Sequence, residues 1–124
     1  METGASATGG GFRLTLLAIA DPVPTRGETA DEGHRFIGYQ FLVENVSRDV
    51  LRFYSFEFQV TDSNNYAFDT AYAFTDLRDL DDCPRTFNPS AKCEGWILFE
   101  VREDSSVALL SFEASSDEMI NFRR

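Results

Sequence analysis

Apolar side chains along this chain recur mostly at every second position, the spacing of half-buried β-strands rather than of helices. Phe12, Leu14 and Leu16 alternate with polar neighbours and predict a first strand. Asp21-Pro22 and Pro24 end it, because proline has no N–H to give to a ladder. Thr25 to Gly33 is polar and reads as a loop. In the next strand, Arg35 to Val46, Ile37, Tyr39, Phe41 and Val43 share one face. Asn45 to Asp49 has the residues of an Asx turn. The run Val50 to Thr61 reads as one further strand, with Tyr54, Phe56, Phe58 and Val60 on its inner face, so the two strands form an antiparallel hairpin.

Asp62 to Asn65 is a second strong turn, and Tyr66 to Tyr72 a short strand. Leu77 and Leu80 stand three apart and predict a single helical turn within Asp76 to Asp82. Thr86 to Glu94 is a loop. Gly95 to Val101 turns Ile97, Phe99 and Val101 inward, and strands over Val107 to Glu113 and Met119 to Phe122 follow. About seven short strands without a long amphipathic helix predict an all-β, antiparallel two-layer sandwich, with a closed barrel as its main competitor. Residues 1–10, small and glycine-rich, read as a flexible tether, and residues 11–124 as one domain.

Composition narrows the function more than the fold. Eleven basic against 21 acidic residues leave a formal net charge of −10, which disfavours nucleic acid and anionic membrane surfaces as partners. No apolar run is long enough for a bilayer-spanning helix, so no membrane insertion is expected. One histidine leaves little room for histidine-based catalysis or zinc sites, and His34 reads as a loop residue. No nucleophile elbow, phosphate loop or His-Glu-x-x-His occurs, and the chain is not expected to be an enzyme. Glu44 and Glu57, on neighbouring strands, are better read as ordinary outward side chains than as a glycosidase pair.

Cys83 and Cys93, flanked by Pro84 and Pro89, suit a disulfide closing a surface loop. That pairing favours an exported protein, extracellular or on the cell surface, whose signal has been removed ahead of Met1. Asp76, Asp79, Asp81 and Asp82 form an acidic stretch that either binds Ca2+ or serves as a solvated surface; no other cofactor is indicated. Trp96, Phe87 and Phe74 are the candidate binding surface for a protein or glycan. Trp96 has the opposite parity to Ile97, so it either faces solvent or packs under the cysteine loop. Asn45-Val46-Ser47 fits both a glycosylation acceptor and a plain turn. The first or last strand offers an edge for homodimer pairing.

Three segments together carry a family resemblance. They are Phe41-Leu42-Val43-Glu44-Asn45-Val46-Ser47, the run Phe56 to Ser63 followed by Tyr66, and Gly95-Trp96-Ile97-Leu98-Phe99-Glu100-Val101. In order and spacing they resemble an uncharacterised immunoglobulin-like domain family of secreted bacterial and archaeal proteins and lipoproteins, related to the mycobacterial immunoprotective extracellular antigen. The resemblance covers roughly residues 11–113 and implies an exported immunoglobulin-like β-sandwich without catalytic residues. The leading expectation is a binding or adhesion module; the alternative is a Ca2+- or small-ligand-binding surface domain using the aspartate-rich loop.

Overall fold

The computed structural model describes residues 1–124. Ten strands form: β1 (Ser6–Gly9), β2 (Phe12–Ala20), β3 (His34–Asn45), β4 (Leu51–Arg52), β5 (Phe58–Asp62), β6 (Ala67–Ala71), β7 (Thr86–Phe87), β8 (Lys92–Arg102), β9 (Val107–Ser115) and β10 (Glu118–Arg123). Eight of them run β1-β2-β3-β8-β6-β5-β9-β10, and β4 pairs with β7 in a separate ribbon. β6 belongs to both layers: Ala67 to Asp69 pair with β5, and Thr70 and Ala71 with β8. The result is an all-β antiparallel sandwich, with β1, β2, β3 and β8 in one layer and β5, β9 and β10 in the other.

The alternation read from the sequence puts the expected side chains in the core. Phe12, Leu14 and Leu16 of β2 are buried, as are Ile37, Tyr39, Phe41 and Val43 of β3 and Ile97, Phe99 and Val101 of β8. The other layer meets them with Phe58, Val60, Leu110, Phe112, Ile120 and Phe122. Aromatic rings fill the gap between layers, Phe41 stacking on Phe58 with centroids 5.3 Å apart.

Two expectations change. Residues 1–10 are not a tether. Gly10 (φ 56°) and Gly11 (φ 87°) form a two-residue hairpin between β1 and β2. Positive φ at both central positions is the mark of a primed turn, whose twist matches that of the strands. Glycine is there for handedness rather than looseness.

The strand expected over Val50 to Thr61 is broken by a 3-10 turn at Ser55–Glu57. Phe53 and Phe58 are both buried, an odd five positions apart, which a straight strand would place on opposite faces. The turn restores the parity and throws Tyr54 and Phe56 outward. The strand count is therefore larger than seven.

The two edge strands, the candidates for homodimer pairing, meet at one end. β1 and β10 approach each other across the open side of the sandwich. The Gly10 N–H donates to Glu118 Oε2 at 2.8 Å, and a Cβ at Gly9 would come within 2.9 Å of Ile120 Cγ1. Each edge is shielded there by the other, a common way of blunting aggregation.

Cys83 and Cys93 are joined, with Cα atoms 6.0 Å apart. The bridge ties the end of a second 3-10 turn, Leu80–Asp82, to the start of β8. Closing so short a loop restricts the unfolded chain by about 2–3 kcal/mol. Reduction is expected to lower unfolding stability by that amount, read from denaturant unfolding with m fitted separately for each form because the freed unfolded chain exposes more surface; an unchanged stability would contradict it.

Candidate functional site

Four exposed aromatic rings form two pairs, and one ring of each pair, Phe56 and Tyr72, lines a common groove. Tyr54 and Phe56 lie 5.3 Å apart, and Tyr72 and Phe74 lie 5.6 Å apart, edge to face. Phe56 is 61% exposed, Tyr72 66% and Phe74 59%. Between the pairs runs a groove of about 260 Å³ lined by Ser55, Phe56, Thr70, Ala71, Tyr72, Asp79, Asp81 and Ile97. The 3-10 turn at Ser55–Glu57 supplies one wall, and the end of β6 with the residues after it supplies the other.

Two carboxylates face this groove in different states. Asp81 Oδ1 accepts from Ser55 Oγ at 2.8 Å and from Arg85 at 3.0 Å. These hydrogen bonds hold its carboxyl below the usual range. Asp79 caps the turn Leu80–Asp82 by accepting from the Asp81 N–H at 2.8 Å. It is partly buried, forms no ion pair, and stands beside Asp81 and Asp82. Burial, then the neighbouring negative charges, push its carboxyl above the usual range, against the pull of its backbone hydrogen bond.

Gly95 of β8 fixes where Asp79 sits. A Cβ there would fall 2.8 Å from Leu80 N and Cα and 3.0 Å from the Asp79 carbonyl carbon. Only glycine lets the turn approach the sheet so closely. Trp96 continues the contact, its N–H donating to Arg78 O at 2.8 Å.

The expected site residues separate. Phe74 is exposed as expected and belongs to the aromatic row. Phe87 does not: β7 folds back on β4 and buries its ring 6.0 Å from Phe12 and 5.6 Å from Phe53. Trp96 is half-buried on the outer face of the sheet, over a small cluster of Val23, Phe36, Ala73 and Leu98. Its ring lies against Gly38, where a Cβ would come within 3.2 Å of it. Leu77, in the segment leading to Arg78, packs on the same cluster.

Three of the four aspartates are engaged within the protein. Asp76 pairs with Arg26 at 3.1 Å, Asp81 with Arg85 and Ser55, and Asp79 caps its own turn. No group of three or more His, Cys, Asp and Glu side chains stands together as a metal cage. His34 Nδ1 lies 3.1 Å from Glu32 O in the loop. Asn45 is buried in a turn, with both ends of its amide in hydrogen bonds, so the Asn-Val-Ser triplet serves as structure.

Sequence reading missed a second feature. A cleft of about 430 Å³ lies between β4 and β9 and holds Arg52, Tyr54, Glu57 and Glu113. Glu57 meets Glu113, not Glu44, which is held by Arg13 at 3.0 and 3.2 Å. Burial first, then the hydrogen bond and charge of Glu113, raise the Glu57 carboxyl. A carboxyl raised in the folded state adds stability below its unfolded value and loses it as pH rises through the folded one. Glu113→Gln is therefore expected to lessen the loss of wild-type stability as pH climbs from 4 toward neutrality, measured by denaturant unfolding across roughly that window. Parallel curves for the two proteins would contradict the pairing.

The fold and this surface define an antiparallel β-sandwich that carries an aromatic, acid-floored groove. The chain belongs to DUF4352, a domain of unknown function whose family model matches residues 1–120.

Solved structures agree on the fold. The chain resembles the yjhA protein of Bacillus subtilis at 13% identity, with 98% of this chain and 97% of that one covered and a TM-score of 0.76. It also resembles MPT63, a secreted protein of Mycobacterium tuberculosis, at 13% identity, 100% and 95% coverage and a TM-score of 0.64. Against ycdA, a candidate lipoprotein of Bacillus subtilis, identity is 15% and the TM-score 0.70; the match takes in 99% of this chain but only 39% of that protein. No curated protein matches. No helix is long and apolar enough to cross a membrane.

Proposed function

We propose that this chain is a non-enzymatic binding module, exported or displayed at the cell surface, that meets a protein or glycan partner through the row Tyr54, Phe56, Tyr72 and Phe74. The observation that carries this reading is the exposure of paired aromatic rings on both walls of one groove. Exposed aromatic surface costs free energy in water that burial under a partner recovers, and aromatic residues are enriched at the centres of interfaces. The joined cysteines and the secreted character of MPT63 support export. An immunoglobulin-like sandwich belongs to the same reading, since such folds present loops and sheet ends to partners.

The double variant Phe56→Ala/Tyr72→Ala tests it. Both side chains are exposed, so the variant is expected to keep wild-type stability to within about 1 kcal/mol. Peptides and oligosaccharides that the native protein retains in a binding panel should be lost by the variant. Unchanged retention by the variant would refute the reading.

A further inference from the structure

The groove is chemically one-sided. Its polar lining consists of two carboxylates and the hydroxyls of Ser55, Thr70 and Tyr72; no lysine, arginine, asparagine or glutamine lines it. The Ser55 hydroxyl already donates to Asp81. A sugar ring offers donors and acceptors together and is held by side chains that supply both. This site supplies mainly acceptors.

The charge at the floor is also unfinished. Arg85 neutralises Asp81, and Arg26 neutralises Asp76. The neighbouring basic residue, Arg78, reaches away toward Cys93 Sγ at 3.5 Å. Asp79 is left partly buried without a counter-ion, in the groove that the exposed rings of Phe56 and Tyr72 also line. A planar cation with N–H donors at its edge and a face that stacks on aromatic rings answers both features at once, and among side chains that describes arginine. The chain's net charge of −10 would draw a basic segment toward it.

We propose that the groove between Phe56 and Tyr72 binds an arginine-bearing, extended segment of a basic protein, with a guanidinium on Asp79 and flanked by the two rings. This deepens the binding-module reading and rests on it. Arginine rather than lysine is specified because a fork can engage Asp79 while its plane lies against a ring.

The test is calorimetric titration of the full chain with a glycine-serine octapeptide carrying two arginines, and with the same peptide carrying citrulline, the neutral isostere. The arginine peptide should bind about tenfold more tightly than the citrulline peptide. Asp79→Asn and Phe56→Ala should each weaken it by about fivefold or more. Asparagine still caps the turn, so Asp79→Asn should remain folded, checked by its melting curve. Asp104→Asn, outside the groove and with its side chain 79% exposed, should bind like wild type.

Equal weakening by Asp104→Asn and Asp79→Asn would mean attraction to overall charge and would overturn the inference. So would equal binding of the two peptides, or no saturable binding of either. A neutral oligosaccharide that binds, and is lost on Phe56→Ala while the arginine peptide fails, would overturn the arginine assignment and leave the binding-module reading standing. Loss of neither ligand class in the aromatic variants would remove both.

Discussion

Phe12→Ala is expected to lower unfolding stability by about 3–5 kcal/mol, the largest effect of any single truncation considered. Phe12 is 1% exposed and starts β2 directly after the Gly10-Gly11 turn. Its ring meets Phe53 at 6.0 Å, Phe87 at 6.0 Å and Phe112 at 5.9 Å, each edge to face. Those partners come from the β4 side, the disulfide loop and β9, so one ring joins three parts of the fold. Truncation removes the transfer free energy of the ring and leaves a cavity that three rigid aromatics cannot readily fill. A domain of this size has about 5–15 kcal/mol in all, so the variant should melt far earlier or fail to accumulate folded. Denaturant unfolding of both proteins measures it; a loss under about 1 kcal/mol would mean that the site collapses around the gap.

Asn45→Ala should be the most damaging change to a polar residue, at about 2–4 kcal/mol. Asn45 is 1% exposed. Its Nδ2 donates to Asp49 O at 2.8 Å and to Phe87 O at 2.9 Å; its Oδ1 accepts from Ser47 N at 2.9 Å and Ser47 Oγ at 2.7 Å. One side chain thus shapes the turn after β3 and fastens β7 to it. Alanine would remove four side-chain hydrogen bonds from a buried turn and leave the Phe87 carbonyl held only by its β4 ladder partner, which costs more than the loss of a solvent-facing bond. Phe87 itself would be released from the cluster around Phe12, so the Asn45 and Phe12 effects should not add in the double variant. Strict additivity would show that the turn and the aromatic cluster are independent.

What was legible in the sequence followed from local rules. The alternation in β2, β3 and β8 reports burial directly, since period two and one buried face leave little choice of register. The Asx turn at Asn45 to Asp49 was legible from residue type, and the spacing of Leu77 and Leu80 announced a helical turn that forms only over Leu80–Asp82. The disulfide was legible from spacing and flanking prolines.

The rest depended on contacts between distant segments. Adjacent aromatics at Phe53 and Tyr54 were the one local sign that a single parity could not hold from Val50 to Thr61. Missing it hid Phe56 from the exposed face. The Gly-Gly hairpin was read as slack because composition alone cannot distinguish freedom from a required positive φ. Phe87 looked exposed in its polar loop, and only the β4–β7 pairing carries it inward. The Glu57–Glu113 pair and the groove at Asp79 join segments far apart in the chain, and no spacing announces them.

The place where a ligand touches the protein decides whether the groove is a binding site. Backbone amide shifts of the isotopically labelled full chain, followed through a titration with the arginine octapeptide, measure this directly. The groove predicts that the largest shifts gather at Ser55 and Phe56, at Thr70 to Phe74 and at Asp79 to Asp81. Shifts spread evenly over the acidic surface, or centred on the cleft of Arg52, Glu113 and Ser115, would contradict it.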